Sequence, residues 1–177
     1  MTTGKRLFVL RHAKSSWGDP VLEDHDRPLA PRGRKAAKLL AAHVRLTEIE
    51  PALILCSASR RTRETLQCVL PDREALIEDE LYNASGKELI ARLQRVPGEL
   101  TSVMVIGHSP AVQMLVLKLA GAEGRGDGAR RADSALRQVE RKFPTGALAT
   151  LAFDRDWAEL APGCARLIDY VRPRALV

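Results

Sequence analysis

A three-layer α/β/α sandwich around a mostly parallel sheet is the fold class this sequence predicts. Two observations predict it. Short apolar runs bounded by polar residues or Gly recur at residues 7–10, 53–56 and 103–106, the pattern of strands buried on both faces. Between them lie stretches with helical apolar spacing, and alternation of the two types is the mark of α/β layering. With 177 residues, the chain reads as a single domain over residues 1–177, long enough to bury a real core.

Taken in order, the first run, Leu-Phe-Val-Leu at residues 7–10, leads into Arg11 and His12. A polar loop is expected over residues 18–31. A helix is expected from Arg32 to about Leu46, with Ala36, Leu39, Leu40 and Val44 on its apolar side. The second strand, residues 53–56, precedes a helix from Arg60 to about Leu70 that carries Leu66, Val69 and Leu70. Ser85 with Glu88 three residues on forms a capping box, which opens a helix through Arg95. The third strand, residues 103–106, runs into Gly107 and His108; there Ser109 is expected to cap a helix and Pro110 to take its first position. Residues 121–133 are rich in Gly and Arg without periodicity and read as a mobile surface loop. Their Gly-x-Gly-x-Gly run follows a helix, so it lacks the strand-turn-helix setting of a nucleotide fingerprint. Residues 147–153 and 165–171 are two further strand candidates.

Composition bounds the function. No apolar stretch approaches the ~20 residues of a membrane span, and only four apolar residues follow the basic start, too few for a signal-peptide core. A cytoplasmic protein is expected. Cys56, Cys68 and Cys164 are odd in number and lack metal-ligand spacing, which argues for reduced thiols and against a zinc site. The net charge of +6 arises from 28 basic and 22 acidic residues that intermix along the chain, a solvated surface with some preference for anionic partners. Aromatic residues make up only 4% of the chain and form no stacking platform, so nucleic acid is a disfavoured partner.

In an open α/β sheet, ligands bind beyond the carboxyl ends of the strands. Arg11 and His12 leave the first strand there, residues 57–63 with three arginines leave the second, and His108 and Ser109 leave the third. Two imidazoles, several guanidiniums and a helix start at one edge describe a site for a dianionic phosphate. No carboxylate pair or cysteine set accompanies them, so no metal and no cofactor is expected. Neutral imidazole is a competent nucleophile toward phosphorus, and neighbouring arginine charge disfavours its protonated form. The residues alone leave open which histidine attacks. The remaining histidines have blander readings: His43 at the edge of the core, His25 solvated or paired with its carboxylate neighbours. Arg60 and Arg63 read as surface helix residues, Arg60 pairing with Glu64 at i,i+4.

Arg-His-Ala-Lys-Ser-Ser-Trp at residues 11–17, Asp26 to Leu29, Arg32-Gly33, residues 57–65, Gly-His-Ser-Pro at 107–110 and Lys142 to Ala147 together resemble the histidine phosphatase superfamily, and within it the SixA-like phosphohistidine phosphatases. The resemblance spans nearly the whole chain and implies the phosphoglycerate mutase-like fold. It implies His12 as the nucleophile, Arg11 beside it on the phosphate, and His108 as the second histidine. It also implies Arg61 as the second arginine, bracketed by Ser57 and Thr65. Ser15 matches a serine of the phosphate site, and Lys14 and Ser109 are further substrate-binding candidates.

The sequence departs from the pattern in informative places. Ala13 stands for the signature Gly, which is tolerable if the backbone there avoids positive φ. Gly18 stands where phosphoglycerate mutase relatives have an Asn, and Ala58 for a usual Pro. Leu81-Tyr82-Asn83 stands where those relatives carry a Glu general acid. An alkoxide leaving group needs such an acid, a contribution of ~10²–10⁴ in rate, whereas imidazole is readily protonated near neutral pH. The expected substrate is therefore phosphohistidine on a protein. A small phosphorylated metabolite is the alternative, with Glu78, Asp79 or Glu80 as substitute acid; a non-catalytic module holding phosphorylated ligands is a further one.

Overall fold

The computed structural model describes residues 4–121 and 129–177. Strands β1 (Lys5–Arg11), β2 (Leu53–Ser57), β3 (Leu76–Glu78) and β4 (Ser102–Gly107) run parallel; β5 (Leu148–Phe153) and β6 (Arg166–Val171) complete one sheet in the order β3-β2-β4-β1-β5-β6. β5 pairs antiparallel with β1, and β6 antiparallel with β5. The sheet is therefore mixed with a parallel majority. Helices α1 (Pro31–Leu46) and α2 (Arg60–Val69) cover one face, and α3 (Gly86–Leu93), α4 (Ala111–Ala120) and α5 (Ala129–Arg141) the other.

The period of two in each strand divides the core. Leu7 and Val9 of β1 and Val103 and Val105 of β4 face Leu89, Leu93, Leu115 and Leu119. Phe8, Leu10, Met104 and Ile106 face Leu40, Val44, Leu66 and Val69. Burial on both sides is why these strands read as unbroken apolar runs. Among the described residues, no helix is long and apolar enough to cross a membrane.

Several expectations need correction. Helix α4 begins at Ala111, with Pro110 as the residue before it at φ −84°, ψ −6° and no side-chain cap; Ser109 lies one residue too early for its hydroxyl to reach the first turn. Of the loop expected at 121–133, residues 129–133 are helical, the start of α5; residues 122–128 lie outside the described part. The edge strand β3 carried no periodic signal because two of its three residues, Leu76 and Ile77, are exposed. The capping box at Ser85 forms as expected, with Glu88 N–H donating to Ser85 Oγ and Ser85 N–H to Glu88 Oε2.

Candidate active site

β1 and β4 are neighbours, and Arg11 pairs with Gly107 at their last shared register position. The next residue of each strand is a histidine, and His12 N–H donates to Gly107 O at 3.1 Å. Register alone thus sets the two imidazoles side by side, with ring centroids 5.2 Å apart. β2 flanks β4 on its other side, and Ser57 at its end places Oγ 2.8 Å from His108 Nε2.

Arg61 lies in the first turn of α2 and is only 6% exposed. Its turn is fixed by Thr62, whose hydroxyl bonds Ser57 O at 2.6 Å. Thr65 joins α2 to the histidine loop: its Oγ1 donates to Arg61 O at 2.7 Å and accepts from Ala13 N–H at 3.0 Å. Ala13 is fully buried and does not have positive φ, so it serves in place of a glycine. Arg11, on the other side, donates from a terminal nitrogen to Phe143 O at 2.8 Å.

By their charge and by what they leave unbonded, these groups are suited to hold an anion. The Nε–H groups of both Arg11 and Arg61 are buried without a protein acceptor, and a buried donor of this kind requires a partner. Burial first, then the Arg61 charge, lowers the Arg11 pKa, so the two guanidiniums lie close enough to repel. Between them both imidazoles are neutral. Burial lowers His12 to about 3, with the charges of His108, Arg61 and Arg11 acting in the same direction; burial and then Arg61 lower His108 to about 4. His12 Nδ1 is 2.7 Å from Ala13 O. A carbonyl only accepts, so the hydrogen sits on Nδ1 and the lone pair on Nε2. By the same reasoning Arg61, which only donates, lies 3.4 Å from His108 Nδ1, so the His108 hydrogen is on Nε2 and donates to Ser57.

An acidic side chain that sequence reading passed over completes the site. Asp24, in a 3₁₀ turn of the 18–31 loop, accepts from Arg61 through its backbone oxygen at 2.6 Å and through Oδ2 at 3.0 Å. Arg27 bonds Oδ1 at 3.1 Å, and Tyr82 donates its hydroxyl hydrogen to Oδ2. The Tyr82 bond first, then those of Arg61 and Arg27, hold the Asp24 carboxyl at about 2. The loop returns here because its base is closed: Ser15 pairs with Leu29 in an isolated bridge, and Ala30 N–H donates to Lys14 O at 2.8 Å. Nothing in the sequence announces a contact 37 positions away; the only local signal is Asp24 three residues before Arg27.

The structure thus brings together His12, His108, Arg11 and Arg61. Ser15 is buried, while Lys14 and Ser109 are half-buried; among the described residues these three make no hydrogen bond to the four. Of the substitute acids, Glu78 is gripped by Arg92 through three bonds of 2.7–3.1 Å, Glu80 pairs with Arg95 at 3.0 Å, and Asp79 is exposed. Arg60 pairs with Glu64 at 2.9 Å as expected. His25 lies edge-on to Tyr82 at 4.9 Å and 3.5 Å from Asp26 Oδ1.

Comparison with known proteins places this geometry in context. The model of the histidine phosphatase superfamily (branch 1) matches residues 7–151. The phosphohistidine phosphatase SixA of Escherichia coli is 31% identical over 127 residues, 67% of this chain and 76% of that protein. A protein of Nakamurella multipartitia assigned as SixA has a structure that superposes with TM-score 0.82 at 28% identity, covering 97% of each chain. The structure of the protein histidine phosphatase SixA in complex with tungstate superposes with TM-score 0.75 at 25% identity, covering 97% of this chain and 99% of that one.

Proposed function

This chain belongs to the histidine phosphatase superfamily, and from that premise we propose that it removes the phosphoryl group from phosphohistidine on a protein through a phosphorylated His12. The observation that carries this reading is the pair of neutral imidazoles 5.2 Å apart, flanked by two guanidiniums, with the ionised Asp24 as the carboxyl group bonded to Arg61.

His12 Nε2, with its lone pair free, attacks phosphorus in line. The bond from Nε2 to phosphorus forms as the bond to the leaving nitrogen breaks, and that nitrogen takes the electron pair. Arg11 and Arg61 hold the equatorial oxygens, their guanidiniums fixed beforehand by bonds to Phe143 O and Asp24, so that stabilisation of the shifting charge costs little rearrangement. A bound dianion favours protonation of His108, whose positive charge then offsets the charge on the phosphoryl oxygens. Ser15, Lys14 and Ser109 complete the proposed binding set on the same two loops. In the second step water attacks phosphorus, the Nε2 bond breaks, and phosphate leaves with the water's oxygen.

Substrate class follows from the acids. Asp24 at about 2 is ionised at neutral pH, Glu78 and Glu80 are tied to Arg92 and Arg95 and Asp79 is exposed, so none of the four is held ready as an acid for an alkoxide. An imidazole leaving group does not need one. The likeness to SixA proteins, one of them bound to tungstate, supports this reading. The test is a side-by-side ranking of turnover on phosphohistidine proteins and on sugar phosphates, with chelator present. Faster phosphohistidine turnover is expected; faster hydrolysis of ordinary sugar phosphates overturns the substrate assignment.

A further inference from the structure

Four aromatic rings are linked by successive contacts that start at the paired histidines. His12, His108, Tyr82 and His25 stand 5.2, 5.4 and 4.9 Å apart between successive centroids, and burial decreases from His12, 6% exposed, to the half-buried Tyr82 and His25. In-line attack from the buried His12 expels the leaving group on the side away from His12, and the half-buried Tyr82, edge-on to His108, is the next ring beyond the imidazole pair. Tyr82 is oriented there: its hydroxyl hydrogen is committed to Asp24 Oδ2 and the Arg61 guanidinium lies beside it, so that even with Arg61 on one lone pair of Oη the other is left to accept. Asp24 itself has no capacity to spare, since Arg27 occupies Oδ1 and Arg61 and Tyr82 occupy Oδ2.

We propose that Tyr82, oriented by Asp24, is the specificity-determining residue for the leaving group, its Oη accepting the N–H of a phosphorylated imidazole. This rests on the phosphohistidine reading above and deepens it. In a phosphoimidazole protonated on its second nitrogen the ring carries a positive charge; when the bond from phosphorus to the first nitrogen breaks, that nitrogen keeps the electron pair and the ring departs as neutral imidazole, still carrying its N–H. No acid is consumed. A phenolic oxygen whose own hydrogen is drawn to a carboxylate is a strengthened acceptor for that N–H. An ester leaving group offers no N–H, so it gains nothing from Tyr82.

The experiment measures kcat/KM for phosphoimidazole and for p-nitrophenyl phosphate in the wild type, Tyr82→Phe and Asp24→Asn. Tyr82→Phe keeps the ring against His108 and removes only the oxygen. The expected result is a fall of about tenfold or more on phosphoimidazole, the scale of a hydrogen bond to a charged group, against less than about threefold on the ester, with Asp24→Asn shifting the ratio in the same direction. Equal losses on both substrates, or an unchanged ratio in Tyr82→Phe, overturn the assignment and make Tyr82 a structural support. The two readings fail separately: a wild type that prefers esters removes the phosphohistidine reading and this inference with it, whereas a wild type that prefers phosphoimidazole with a ratio indifferent to Tyr82 removes this inference alone.

Discussion

The rings of His12 and His108 lie 5.2 Å apart and tilted by 53° because each is the first residue beyond one of two adjacent parallel strands in register. Burial first, and then the two neighbouring guanidiniums, keep both rings uncharged, and the first prediction follows from this.

His12 falls to about 3 and His108 to about 4 from about 6.5 in an unfolded chain. Between those values the unfolded chain binds more protons than the folded one, so stability is fully present above pH 6.5 and declines as pH falls toward 4 and then 3. Asp24, held at about 2, acts in the same direction over a lower window, its contribution being lost below about 4. From pH 7 to pH 5 the unfolding free energy should drop by about 2 kcal/mol or more, as read by denaturant titration. Imidazole nitrogen shifts in NMR should show both rings neutral at pH 5; a midpoint near 6.5 for His12 contradicts the electrostatic picture.

Arg61 meets Asp24 with two different nitrogens and leaves Nε buried without a protein acceptor, a fork that lysine cannot reproduce. Arg61→Lys should keep the charge yet lower kcat by about 10²–10³, the usual loss when one oxyanion donor is removed. Steady-state kinetics checks it, and a loss below about fivefold would place Arg61 outside the phosphoryl contact.

Gly33 in the first turn of α1 lies against the histidine loop so closely that an added Cβ would stand 2.1 Å from Lys14 O. The contact is with backbone, so the loop itself must move. Gly33→Ala should cost about 2 kcal/mol or more and lower turnover, because Lys14 is two residues from His12. Thermal unfolding and kinetics on the same sample test both parts.

The β1, β2 and β4 strands were legible because burial on both faces writes unbroken apolar runs, and the two histidines because each follows such a run. Which strands are neighbours was not: the insertion of β4 between β2 and β1 is a tertiary fact, and it is what joins Ser57, His108 and His12. Asp24 and Tyr82 were illegible for the same reason, being 58 positions apart on irregular segments whose meeting depends on the closure of the loop between Ser15 and Leu29. Ser109 and Pro110 carried a sound local signal for a helix start, but α4 begins one residue later, where local preference does not discriminate.

Everything proposed for this site rests on transfer of the phosphoryl group to His12. The most direct measurement is rapid acid-free quenching during turnover, followed by peptide mapping of the acid-labile, base-stable phosphate. One phosphoryl group per chain on His12, absent from His12→Ala together with more than ~10³-fold of the activity, is the predicted result. Turnover with no labelled enzyme, or label on His108 in place of His12, would contradict the account.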